Sequence, residues 1–188
     1  MSILLEEPPA FAVKESWRDL DREFEVVNGI EVQLREMSAK SRVEGSRLAR
    51  ILSNYGLANG IGEAHHEVKI RLPTPVGNQR IPDVIFVSAS KWPLDRELPD
   101  TDAWEILPEL CVEILSPTDV SDDVKEKADE YFAAGVKEVW VIDPKRKEIQ
   151  VFSSPKKMTF LSEGDVLKGG SILPGFELPI TRKFPLSG

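Results

Sequence analysis

Apolar and polar residues alternate along this chain with two different periods, and each change of period marks an element. Phe24-Glu25-Val26-Val27 and Ile30-Glu31-Val32-Gln33-Leu34-Arg35 alternate with period two on either side of Asn28-Gly29. A two-residue Asn-Gly loop suits the positive φ angles of a type I′ turn, so this stretch predicts a β-hairpin. From Ser41 to Tyr55 the period lengthens. Val43, Leu48, Ile51, Leu52 and Tyr55 fall on one helical face, with Gly56 as the expected stop. A shorter helix is expected over residues 16–24, with Ser16 as its cap and Trp17, Leu20 and Phe24 at helical spacing.

Between residues 61 and 72 the alternation runs from Glu67 onward and predicts a strand, closed by a turn at Pro73, Pro75 and Gly77. Arg80-Ile81-Pro82-Asp83-Val84-Ile85-Phe86-Val87 ends in a nearly continuous apolar run, the pattern of a strand covered on both faces. Residues 88–107 carry two prolines and several charges, and are expected to form a surface excursion with one short helix. The stretch from Pro108 to Pro144 then reads as strand, helix, strand. Leu110-Cys111-Val112-Glu113-Ile114-Leu115 is apolar apart from one carboxylate; Val124, Ala128, Tyr131 and Phe132 form a helical stripe; Gly135 breaks it; Glu138-Val139-Trp140-Val141-Ile142 is apolar again. Lys147 to Phe152 alternates and predicts a hairpin with the preceding strand. Short strands separated by glycines and prolines are expected from Met158 to Phe184.

With 41% hydrophobic and 30% charged residues, the composition is that of a water-soluble globular protein. One domain is expected over residues 16–188, preceded by an N-terminal extension over 1–15. No apolar run approaches the ~18 residues of a membrane span, and the acidic, proline-containing N-terminus does not read as a signal peptide. A cytoplasmic location without membrane attachment is the expectation. The single cysteine, Cys111, lies inside an apolar run, which excludes an internal disulfide and a cysteine-rich zinc site. A formal charge of −8 counts against a protein that coats nucleic acid nonspecifically, though not against a nuclease with acidic metal ligands.

The anomaly is Glu113. Residues two apart on a strand share a face, so this carboxylate points the same way as Cys111 and Leu115. A buried carboxylate needs a cation, hydrogen bonds or a metal; otherwise Glu113 must reach solvent at the sheet margin. Asp83, at the start of an apolar strand, poses the same question, and acids on adjacent strands can share one hard cation such as Mg²⁺. On the following helix Lys125 and Lys127 flank the apolar stripe on opposite sides, and periodicity does not choose between them. His65 and His66 are adjacent, point to opposite strand faces and are read as structural.

The ordered set Ile81-Pro82-Asp83-Val84, Val112-Glu113-Ile114-Leu115-Ser116-Pro117-Thr118, Lys127 with Tyr131, Gly135-Val136 and Val139-Trp140-Val141-Ile142-Asp143-Pro144 resembles the Uma2 family, also called DUF820. The likeness extends to the hairpin from Phe24 to Gly29 and to Leu173-Pro174-Gly175-Phe176. This bacterial family is grouped with the PD-(D/E)xK restriction-endonuclease-like superfamily. The resemblance implies an α/β (α+β) fold, a mixed β-sheet flanked by helices and carrying β-hairpins. It implies a metal-dependent endonuclease that hydrolyses DNA, with Asp83 and Glu113 holding Mg²⁺ or Mn²⁺. Leu115 stands where the superfamily places its strand lysine, and the resemblance supplies Lys127 from the next helix instead. Tyr131 and Glu44 are additional candidates. The alternative is an inactive nuclease-fold module that binds nucleic acid or protein. Apolar strands without a cover also raise a homodimer as an expectation.

Overall fold

The computed structural model describes residues 23–34, 37–75, 77–116 and 121–181. The expected helix over 16–24 lies largely outside these residues. Its last residue, Phe24, opens a strand instead: β1 (Phe24–Val27) pairs antiparallel with β2 (Ile30–Gln33). Asn28 and Gly29 take φ of 52° and 79°, as a type I′ turn requires.

Helix α1 (Ala39–Ala58) is capped by Ser38, whose side chain accepts the Ser41 N–H at 3.1 Å. The helix does not stop at Gly56. A Cβ on Gly56 would stand 2.4 Å from the Gly62 carbonyl oxygen, so the glycine is there to let the helix backbone approach the sheet. Asn59 is the C-cap. Val43, expected on the buried face, is 48% exposed; the packed face runs through Ser41, Glu44, Gly45, Leu48, Ala49 and Leu52.

Strand β3 (Gly62–His66) lies before Glu67 rather than after it. Glu67 takes φ of 50°, which interrupts the extended backbone, and its N–H donates to the Asp83 carbonyl at 3.1 Å. Two short strands follow, β4 (Ile70–Arg71) and β5 (Gln79–Arg80), and then β6 (Val84–Ser88). The excursion over 88–107 holds no helix. It returns to the core through Trp104, whose N–H donates to Lys69 O at 2.9 Å and whose carbonyl accepts from Arg71 N–H at 2.9 Å.

The strand-helix-strand unit forms as β7 (Leu110–Ile114), α2 (Ser121–Ala134) and β8 (Glu138–Asp143), with β7 and β8 parallel. Residues 117–120, between β7 and α2, are outside the described chain. Then come β9 (Glu148–Ser154), β10 (Lys157–Leu161), β11 (Val166–Lys168) and β12 (Glu177–Pro179). The main sheet has the order β10-β9-β8-β7-β6-β3, and a smaller one the order β2-β1-β5-β4; β11 and β12 pair with each other.

Strand alternation splits the core into two layers. Val112 and Ile114 face α1 together with Leu48, Leu52, Val84, Phe86 and Trp140. Cys111 belongs to the opposite layer, with Ile85, Val87, Ala128, Tyr131 and Val139 under α2. Each fully buried large apolar side chain contributes about 1.5–3 kcal/mol. That gain makes it possible to hold several charged groups in the second layer.

Candidate active site

Asp83 precedes β6 at the position where its parity matches Ile85 and Val87, so it faces the layer under α2. Glu113, in β7, faces the same layer by the same rule. Both carboxylates are buried, with 7% and 8% exposure. An Asp83 carboxylate oxygen accepts the Ile114 backbone N–H, which ties the end of β7 to the start of β6. Glu113 has a partner for each oxygen: the Tyr131 hydroxyl donates to Oε1 at 2.6 Å, and Lys127 Nζ lies 3.3 Å from Oε2. Lys127 and Tyr131 stand four apart on α2 and so share one helical face.

The structure separates the two lysines that periodicity left equivalent. Lys125 is exposed and pairs along the helix with Asp129 at 2.7 Å. Lys127 turns over the sheet, and its ammonium also lies 3.3 Å from Glu25 Oε1. Glu25 comes from β1, which belongs to the smaller sheet. It accepts the Ile81 N–H at 3.0 Å and pairs with Arg80 Nη1 at 2.8 Å. Arg80 in turn donates through Nε to Glu130 at 2.7 Å, and Asn78 donates to the other Glu130 oxygen.

Four carboxylates, Glu25, Asp83, Glu113 and Glu130, therefore meet two cations, Arg80 and Lys127. With every group ionised the cluster is short of two positive charges. Burial pushes the Asp83 carboxyl well above its ordinary 3.8, and repulsion from Glu113 adds to this, against the Ile114 N–H and Lys127. Glu113 is also raised above 4.5, by burial first, with Lys127 and Tyr131 opposing. Burial works to deprotonate Lys127, but Glu113 and Glu25 outweigh it and its pKa is raised, so it stays an ammonium. Burial and the nearby Glu113 charge hold Tyr131 well above 10, as a neutral donor.

Glu44 does not join this group. It is buried in α1 with Oε2 lacking a hydrogen-bond partner and Arg47 at 3.9 Å, and burial raises its carboxyl. Among the described residues no three His, Cys, Asp or Glu side chains gather closely enough to enclose a metal ion. Two hard carboxylates remain as donors, a set that suits a cation that keeps most of its waters, such as Mg²⁺. A divalent cation would also supply the two missing positive charges, so the residues fit it. The histidines part as expected: His65 packs edge-on against Trp104 at 5.3 Å, while His66 Nε2 is buried beside Gly45.

Glu25, Arg80, Glu130 and Asn78 were not singled out by sequence reasoning. Glu25 sits in an alternating hairpin where a polar residue reads as outward-facing, and its partner Arg80 is 55 residues away. The one available signal was the adjacency of Arg80 to Ile81-Pro82-Asp83.

The model of the Uma2 family, described as "Putative restriction endonuclease", matches residues 10–181. A crystal structure from Anabaena variabilis, described as a "putative nuclease belonging to DUF820", superposes with a TM-score of 0.74. The match covers 88% of this chain and 93% of that one at 18% identity, a likeness of fold. A search of curated proteins finds no match.

Proposed function

From the premise that this chain belongs to the Uma2 family, we propose that it is a Mg²⁺- or Mn²⁺-dependent endonuclease that hydrolyses DNA phosphodiester bonds. The observation that carries this reading is the meeting of Asp83, Glu113 and Lys127 in one buried cluster short of two positive charges. Asp83 and Glu113 would hold the cation. When bound, such an ion polarises a phosphate and makes a coordinated water a better nucleophile. The chain's own groups hold the rest of the arrangement. The Ile114 N–H fixes the Asp83 carboxylate, and the Tyr131 hydroxyl fixes Glu113, so neither needs to reorganise during the reaction. Lys127, kept as an ammonium, donates hydrogen bonds and stabilises charge developing on the phosphate oxygens; it does not act as a base.

Leu115, at the superfamily's lysine position, is consistent with this reading because Lys127 reaches Glu113 from α2. The same Leu115, together with the net charge of −8, favours the second reading, a nuclease-fold module that binds nucleic acid or protein without cutting it. The reading further takes residues 16–188 as one domain and places the protein in the bacterial cytoplasm, where DNA is available.

The test is incubation of purified protein with plasmid and branched DNA under Mg²⁺, Mn²⁺ and EDTA. Cleavage is expected with either cation, none with EDTA, and a loss of at least 100-fold for Asp83→Ala, on the order of the loss when one group stabilising the transition state is removed. An Asp83→Ala protein as active as wild type would exclude the mechanism. Binding without cleavage under all conditions would favour the second reading.

A further inference from the structure

We infer that Glu25 is a positioning residue for Lys127, holding its ammonium over the site from the smaller sheet while Glu113 meets it from the larger. Lys127 Nζ lies 3.3 Å from Glu25 Oε1 and 3.3 Å from Glu113 Oε2. Glu25 can act as an anchor because it is itself fixed. It is 3% exposed, with one oxygen on the Ile81 N–H at 3.0 Å and the other on Arg80 at 2.8 Å. Arg80 is held by Glu130, three residues after Lys127 on the same helix. The contacts therefore close a ring, from Lys127 to Glu25, to Arg80, to Glu130 and back into α2. The ring joins α2 to the smaller sheet, which carries Glu25 and Arg80, and Lys127 links it to Glu113 in the larger one.

A lysine side chain gives up rotamer freedom when it is held, so two carboxylates at 3.3 Å restrain the ammonium better than either does alone. The restraint from Glu113 weakens whenever its oxygens are engaged by a cation. Glu25 is not proposed as a ligand, so it retains Lys127 through that change. The inference rests on the nuclease reading only for its kinetic consequence; the anchoring itself is a property of the cation-free protein.

The experiment uses Glu25→Gln, Lys127→Met and the double variant of the full chain. Lysine side chains labelled with ¹⁵N are observed by NMR without cation, and kcat and KM are measured with Mn²⁺. The Lys127 Nζ signal, assigned by its loss in Lys127→Met, is expected to be protected from solvent exchange in wild type and unprotected in Glu25→Gln. In the kinetics kcat is expected to fall about 10- to 100-fold with KM within about 2-fold, the scale of a misplaced catalytic group. The double variant should be no slower than Lys127→Met, because Glu25 acts through that lysine. A protected Nζ signal in Glu25→Gln, or losses that multiply in the double variant, would overturn the inference and leave Glu25 as a counter-ion for Arg80. If wild type cleaves no DNA, the nuclease reading fails alone and the NMR result still decides on Glu25. If Glu25→Gln does not fold, Glu25→Asp withdraws the carboxylate by one methylene and carries the same test: lost protection supports the anchor, unchanged protection overturns it.

Discussion

Asp83 and Glu113 set the electrostatics of the cluster, and their effect on stability has a definite sign. Both carboxyls are raised in the folded protein, so the folded state prefers them protonated. Below their ordinary values of 3.8 and 4.5, folded and unfolded chains are both protonated there and pH changes nothing. Above those values the unfolded chain releases the protons first, and stability falls with rising pH until the raised folded values are passed. The cation-free protein is therefore expected to lose melting temperature between mildly acidic and neutral pH. Saturating Mg²⁺ should flatten that slope, since it favours the ionised pair. Asp83→Asn keeps an acceptor for the Ile114 N–H but removes the repulsion, so its cation-free melting temperature at neutral pH should rise. Each kcal/mol relieved corresponds to about 2–4 °C for a chain of this size. The same variant should lose the Mg²⁺ effect; calorimetry across pH with and without cation checks both outcomes. These two acids were legible in the sequence because each interrupts an apolar run. Glu25 was not, because an acid in an alternating hairpin has an unremarkable solvated alternative and its cations lie more than 50 residues away.

At the level of elements, α2 delivers Lys127 to the site and the β1–β2 hairpin delivers Glu25, the carboxylate beside it. The apolar stripe of α2 was readable, and so was the unit formed with β7 and β8. The choice between Lys125 and Lys127 was not, since both flank the stripe and only the sheet beneath decides which finds carboxylates. The hairpin was readable as a hairpin, but its pairing with β5 was not; that contact joins Val26 to Gln79 across the chain and brings Glu25 to Arg80. Arg80 is 7% exposed in its side chain and lies between Glu25 and Glu130, so Arg80→Met would leave one buried and one half-buried carboxylate without their shared cation. A loss of about 3–5 kcal/mol is expected in urea unfolding. Lys125→Ala, which removes an exposed pair, should change stability by less than about 0.5 kcal/mol. Comparable losses in the two variants would mean that the ring around Arg80 is not a buried network. Misreadings of other elements share one cause. Gly56 reads as a helix stop and Glu67 as a strand start because local pattern carries no information about the close approach of α1 to β3, or about the backbone bond from Glu67 to Asp83.

Across the whole molecule, two apolar layers on opposite faces of one mixed sheet fix the strands that carry the acids, and a second, smaller sheet closes over the lysine. The fold class was legible because strand-helix-strand, hairpins and a long amphipathic helix together restrict the architecture. The meeting of two sheets at the site was not, because it depends on pairings between distant short strands. Among the described residues no helix is long and apolar enough to cross a membrane. The edge strands β2 and β10 expose Ile30, Val32, Met158 and Phe160, yet the comparisons give no support to the homodimer that uncovered apolar strands suggested. The central claim is that Asp83 and Glu113 together hold a divalent cation. Anomalous diffraction from crystals grown with Mn²⁺ tests it directly. An ion within about 2.0–2.6 Å of an oxygen of each carboxylate, absent from Asp83→Asn crystals, is the expected result. Crystals saturated with Mn²⁺ that show no anomalous peak between the two carboxylates would contradict it.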